Sequence, residues 1–213
     1  MPKLSSRIAT FDDIPTLLEL HERNVDNLDF SMLLTSSFRH LFYKICIQES
    51  HSSVNILTRD ESLIGVSIVI SNYNLHVKQY QKQVFFKLIS YLTSLTLKLK
   101  FKRLYSILGY IFERKVTKIP KDVVANCVGM TILDKECRRE TDCIIAFFKM
   151  YSKNIDYLRA CGNGNLWASA RASNKESIRM IKNFVKPTKI MRYRNKPEKI
   201  LCFLHEIQNQ EIP

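Results

Sequence analysis

The sequence predicts an α/β (α+β) fold, a central sheet flanked by helices and interrupted by a helical insertion. Three observations predict it. Stretches patterned as strands and stretches of helical spacing follow one another as β-α-α-β-β, an insertion, then β-α-β-α-β-β. The strand Leu63–Ser71 is apolar on both faces through Ile64-Gly-Val-Ser-Ile-Val-Ile70, which suits a position inside a sheet. Residues 75–121 then change composition, with eleven Lys or Arg against a single acid, Glu113.

Arg7–Thr10 reads as the first strand. Thr10 with Asp13 three residues later forms a capping-box pattern, Asp12 is a second cap, and Pro15 suits a first helical turn. Leu17, Leu18, Leu20 and Val25 supply that helix with an apolar side. A second helix follows Ser36-Ser37, with Phe38, Leu41, Phe42 and Ile45 at i, i+3, i+4 and i+7. Strands Val54–Thr58 and Leu63–Ser71 are joined by Arg59-Asp-Glu-Ser62, a hairpin connection. Residues 75–121 read as two basic helices meeting near Lys98–Lys102. Such a pair can lie on an anionic membrane face or an acidic partner, or be a helical hairpin with its lysines in water.

Residues 123–133 resume the sheet. The stretch Thr131–Ile145 is a strand end, a polar turn at Asp134-Lys-Glu-Cys137, and a helix from Arg138 onward. Ile144, Phe148, Tyr151, Ile155 and Leu158 form that helix's apolar seam, and Cys161-Gly-Asn-Gly-Asn165 ends it. Leu166–Ala172 is a strand anchored by Trp167. Asn174 caps a helix through Ile178, Ile181 and Phe184, and strands Lys189–Tyr193 and Lys199–His205 close the chain.

The length of 213 residues suits a single domain, 1–213, with 75–121 as an insertion within it. No run of 18 or more apolar residues is free of charge, and no signal peptide is evident. Six scattered cysteines, without CxxC pairs or neighbouring histidines, disfavour a zinc site or a disulfide scaffold and suit a reducing cytoplasm. The net charge of +13 implies attraction to a nucleotide, a membrane surface or nucleic acid. No helix-turn-helix, zinc-finger or RNA-binding motif accompanies that charge.

The junction at Thr131–Ile145 carries most of the chemistry. A helix start leaves backbone N–H groups unpaired and partly positive, and two arginines stand at this one. It reads as an anion or phosphate seat, or as a surface helix start whose dipole Glu140 and Asp142 complement.

In the order of these elements the chain resembles the GNAT superfamily of acetyl-CoA-dependent N-acetyltransferases. Arg7-Ile-Ala-Thr-Phe-Asp-Asp-Ile-Pro15 looks like the family's opening strand and helix start. Leu63-Ile-Gly-Val-Ser67 is similar to its glycine-bearing third strand. Thr131–Arg138 resembles the end of its fourth strand, where proline is common at the position of Lys135. Ala172–Ile181 resembles its Asn-x-x-Ala/Ser helix start. The resemblance implies a mixed, mostly antiparallel sheet with the helical insertion between strands three and four. It covers nearly the whole chain outside that insertion.

The family's phosphate signature, Gln/Arg-x-x-Gly-x-Gly/Ala, falls on Arg138-Arg-Glu-Thr-Asp-Cys143. Arg138 matches, while Thr141 and Cys143 replace the small residues that let a pyrophosphate approach backbone amides. The resemblance therefore assigns acetyl-CoA, as co-substrate and without a metal, to Met130, Thr131, Ile132 and Leu133 along the strand. It extends the site to Arg138, Arg139, Glu140, Thr141, Asp142 and Cys143, with Asn174 near the cofactor arm. The strand-four backbone would pair with the pantetheine where the two central strands splay.

The family's tyrosine acid falls on Ile181, so no catalytic residue is assigned. Tyr193, Cys127 or a water are the substitutes for that proton donor. GNAT relatives with such an insertion and a second helix like Phe38–Tyr43 point to a small amine as acceptor, an amino sugar of bacterial surface polysaccharide, nucleotide-linked. The alternatives are a catalytically inactive GNAT-fold binding protein, for which the replaced glycines and tyrosine speak, and a basic membrane or nucleic-acid module. The expected location is the cytoplasm, with membrane association through 75–121.

Overall fold

The hairpin at Arg59–Ser62 sets the register of the sheet's first half. The computed structural model describes residues 3–25, 34–113, 127–162, 165–171, 175–180, 182, 189–194 and 199–206. Strands β2 (Ser52–Arg59) and β3 (Ser62–Ile70) turn at Asp60 and Glu61, with φ of 46° and 70°. That pair of left-handed residues is what a two-residue hairpin turn of matching twist requires. Asp60 is also bound to the chain start: its Oδ1 accepts from the Lys3 amide at 2.9 Å. Strand β1 (Leu4–Ile8) thereby runs against β2 from Leu4↔Arg59 to Ile8↔Asn55. It begins and ends earlier than the expected Arg7–Thr10, because Thr10 caps the turn that follows. The Asp13 carboxylate accepts from the Thr10 amide at 2.7 Å and holds Arg7 with both oxygens.

Helices α1 (Ile14–Asn24) and α2 (Ser36–Gln48) come next, and the buried His21 Nδ1 and Tyr43 hydroxyl meet at 2.8 Å between them. After β3 the insertion forms α3 (Tyr73–Leu97) and α4 (Phe101–Glu113), turning at the lysine-rich stretch the sequence indicates. Asn72 starts α3 by accepting the Leu75 amide at 3.0 Å. Then follow β4 (Cys127–Leu133), a 3-10 turn Cys137–Arg139, α5 (Thr141–Ala160), β5 (Asn165–Arg171), α6 (Lys175–Met180), β6 (Lys189–Arg194) and β7 (Lys199–Glu206).

The seven strands form one sheet in the order β1-β2-β3-β4-β5-β7-β6. Every described pairing is antiparallel except β4 with β5. Alternation along the strands splits the core between two faces. Val54, Ile56, Val66, Ile68 and Ile132 pack with α1 and α2. On the opposite face Leu57 and Leu133 meet Cys143, Phe147 and Met150 of α5, and Val69 meets Ile155 and Leu158.

The buried seam of α5 differs from the expected one over its first half. Cys143, Phe147 and Met150 are buried, while Ile144 and Phe148 are half-buried. The reason is Gly65. A Cβ there would stand 3.3 Å from both Leu133 Cδ1 and Phe147 Cδ2, so the absence of a side chain lets Phe147 pack close against the strand. Farther along, α5 is tied to the sheet by a polar network. Buried Asn154 accepts from Asn55 Nδ2 at 2.7 Å and donates to Ser67 Oγ at 2.8 Å and Ser67 O at 3.0 Å. Its groups are mutually satisfied, the condition under which buried amides are tolerated. Asn174, Ile181 and Phe184 lie outside the described residues.

Candidate functional site

Strand β4 keeps one neighbour along its length and loses the other. Against β3 it pairs from Val128↔Ile70 to Leu133↔Gly65. Against β5 the pairing consists of Cys127↔Leu166 and Val128↔Trp167. Strand β5 continues to Arg171, but paired with β7 alone. Among the described residues, β4 from Met130 onward thus has an open edge on its β5 side.

The backbone on that edge can be read from the antiparallel alternation. The Asp134 amide donates to Ile64 O at 2.8 Å, so residues two and four before it, Ile132 and Met130, also turn their backbone groups toward β3. Thr131 and Leu133 turn theirs the other way. The Leu133 carbonyl on that side accepts from Arg138 Nε at 3.0 Å. Thr131 is exposed, Met130 half-buried, and Ile132 and Leu133 buried on opposite faces of the sheet. Of the four strand residues assigned from sequence, Thr131 presents both backbone groups at the opening, while Ile132 and Met130 pack with α1 and α2.

At the end of this edge the chain does not enter a helix at Arg138 as expected. Cys137–Arg139 forms a 3-10 turn, the Glu140 amide closes onto Cys137 O at 3.2 Å, and the α-helix begins at Thr141. The amides of Thr141, Asp142 and Cys143 occupy the first turn, which has no intrahelical acceptors. The amide of Glu140 is not among them, and Arg138 spends its Nε on β4. Thr141 and Asp142 are exposed, whereas Cys143 is 1% exposed and turned into the core with Leu57, Leu133 and Phe147. The side chain replacing the family's second small residue therefore leaves the helix end clear.

Sequence reasoning assigned no role to Arg59. It lies at the end of β2, and its guanidinium donates to Glu140 Oε1 at 3.2 Å, to Glu140 Oε2, and to Cys143 Sγ. The pairing with Glu140, then Cys143, raises the guanidinium's pKa. Glu140 is thus drawn toward the sheet rather than over the amides. No local signal could have shown this, because the partners stand 81 residues apart. Cys137, Glu140 and Cys143 also bring three donor atoms within 4.8 Å of one another. Arg59 already supplies the cation for two of them. Burial, and next the Cys143 sulfur, hold the Cys137 thiol above its ordinary range.

Of the remaining sequence candidates, Arg139 is exposed beside the helix start. Cys127 begins β4, before the strands part. Tyr193 is on β6, three strands from β4 in the sheet order, which is about 14 Å at ordinary strand spacing.

No protein-family model and no curated protein matches this sequence. Solved structures do resemble its fold. An N-acetyltransferase from Staphylococcus aureus Mu50 has a TM-score of 0.59 at 13% identity, covering 97% of this chain and 99% of its own. A protein from Salmonella typhimurium, solved with its cofactor acetyl-CoA, has a TM-score of 0.57 at 11% identity, over 99% of this chain and 97% of its own. An acetyltransferase of the GNAT family from Streptococcus pneumoniae has a TM-score of 0.52 at 12% identity, over 95% and 99%. With its seven-stranded sheet, its parallel β4–β5 pair and the helix that follows β4, this chain has the GNAT acetyltransferase fold.

Proposed function

We propose that the protein is an acetyl-CoA-dependent N-acyltransferase acting on a small amine. One observation carries the reading: beyond Val128 and Trp167, β4 keeps β3 and loses β5. An extended chain bearing amides can complete such an edge as an added strand would, and pantetheine is such a chain. Thr131 would hold its amides from the backbone, and the amides of Thr141, Asp142 and Cys143 would receive the pyrophosphate at the helix end. Arg139 would add a charge-assisted contact. When bound, acetyl-CoA supplies a thioester whose acetyl group is open to attack by an amine. The protein's part is to hold the two reactants in line and exclude water. No described side chain is assigned as base or acid.

The finer reading of the acceptor is an amino sugar linked to a nucleotide, as in bacterial surface polysaccharide. The net charge of +13 supports it, since a phosphate-bearing amine would be drawn to such a surface. The lysine-rich insertion would also bring the protein to a membrane face. A second reading, a GNAT-fold protein that binds without catalysis, is favoured by Ile181 at the place of the family's tyrosine.

Thermal unfolding with acetyl-CoA tests the first step. Excess ligand at a hundredfold over Kd should raise Tm by roughly 5–10 °C. No rise with acetyl-CoA or CoA would overturn the proposal. Thiol release in the presence of amino sugars then separates the two readings. Turnover supports the enzyme, and binding without release on any amine supports the second.

A further inference from the structure

The far end of the insertion combines two energetic costs at one place. The 25 residues of α3 carry the chain about 37 Å along the helix axis before it turns into α4. The turn is a helix stop in which the Lys100 amide reaches back to Leu95 O at 2.9 Å. Its left-handed position, with φ of 53°, is filled by Leu99. Glycine is the usual residue there because a Cβ is strained in that conformation. Leu99 is also 72% exposed, beside Leu97 at 79%. A strained leucine held in water gains the fold nothing, which directs attention to a contact outside the chain.

The surroundings define that contact. The turn reads Leu97-Lys-Leu-Lys-Phe-Lys102, and all six side chains are exposed. An apolar strip continues along the outer face of α3 through Ile89 and Phe86, the latter 79% exposed, with Lys82 on the same face. Between Tyr73 and Phe112 there are seven Lys or Arg and no acid. The opposite side of α3 is already used, since Val84 and Leu95 pack with Phe38 of α2 and Ile107 of α4.

We propose that the α3–α4 turn docks the protein on an anionic lipid surface. Leu97, Leu99 and Phe101 enter the acyl boundary, and Lys98, Lys100 and Lys102 meet the headgroup phosphates. Apolar side chains alternating with lysines fit that interface, where one layer is apolar and the next is anionic. An acidic protein surface would match the lysines, but it would cover the leucines only with an apolar groove of the same spacing. A second copy of the chain would bring like charges together, which opposes self-association. Among the described residues no helix is long and apolar enough to cross a membrane, so the contact is one of surface docking. The inference does not depend on the acetyl-transfer reading, and its test needs no acetyl-CoA.

Co-sedimentation of the full chain with vesicles tests it at about 0.15 M salt, where loose electrostatic attraction is screened. Vesicles of phosphatidylcholine with a third phosphatidylglycerol should bring the protein down, and pure phosphatidylcholine should not. Each basic residue near such a surface is worth about fivefold in binding. K98E/K100E/K102E should therefore weaken binding by at least tenfold, and L97S/L99S should do so with no change in charge. All these positions are exposed, so unchanged circular dichroism and Tm should accompany the loss. The proposal is overturned by no binding to anionic vesicles, or by binding that survives both variants. It is equally overturned if sedimentation velocity finds a dimer that L97S/L99S dissociates.

Discussion

Val128 stands opposite Trp167, and past that pair β4 and β5 separate while β3 stays bonded to β4 as far as Leu133. The functional reading rests on this parting, because it leaves Thr131 with backbone groups facing the gap between β4 and β5.

Proline scanning of β4 can test that directly. A proline removes one N–H and is tolerated at a sheet edge but not inside a ladder. Thr131→Pro should fold with a Tm close to the parent's and bind acetyl-CoA at least tenfold more weakly. Ile132→Pro, which loses the amide facing β3, should cost about 3 kcal/mol or more of stability. Equal damage to the fold by both would show that Thr131 does not lie on an open edge.

The closeness of Gly65 to Phe147 yields a second test. Gly65→Ala should destabilise by about 1–3 kcal/mol, since the new Cβ meets Leu133 and Phe147 at 3.3 Å. Phe147→Ala should cost about 3–5 kcal/mol in the parent and visibly less in the Gly65→Ala background. Strict additivity in urea unfolding would mean that the glycine is not there to admit the ring.

His76 sets an acid limit. It is buried against Phe42, His51 and Tyr80, and neither ring nitrogen has a hydrogen-bond partner among the described residues. Burial, reinforced by His51 and opposed by Glu49, pushes its pKa down to about 4. An unfolded histidine takes up its proton near 6.5, so the stability that neutral His76 supplies is complete above that pH. It is lost as pH falls toward 4, with a slope of at most about 1.4 kcal/mol per pH unit. His76→Phe should flatten this part of the stability profile while leaving it little changed at pH 7.5. Parallel profiles for the two proteins between pH 6.5 and 4.5 would refute the assignment.

Element order was settled by the sequence alone, down to details that rest on local chemistry. Arg59-Asp-Glu-Ser62 is a turn because a short polar stretch joins two apolar runs. The two basic helices meet near Lys98–Lys102 as read from the sequence, although no strong turn signal marks the place, and Thr10 with Asp13 marks a helix entrance because a carboxylate three residues on can reach a free amide. The fold class follows from this order, and so does the presence of a helix after β4.

Tertiary structure decided what depends on surfaces meeting. Cys143 with Phe147 and Ile144 with Phe148 are equally apolar stripes on α5, and the surface of β3 at Gly65 selects the first. That choice turns Cys143 inward and clears the helix end. The start at Thr141 instead of Arg138 also escapes a local reading, since a 3-10 turn and an α-turn share their first spacing. Glu140 is held by Arg59, 81 residues distant, and Asn154 by Asn55, 99 residues distant. The parting of β4 from β5 is the extreme case: both are strands by pattern, and only the sheet determines where they stop touching.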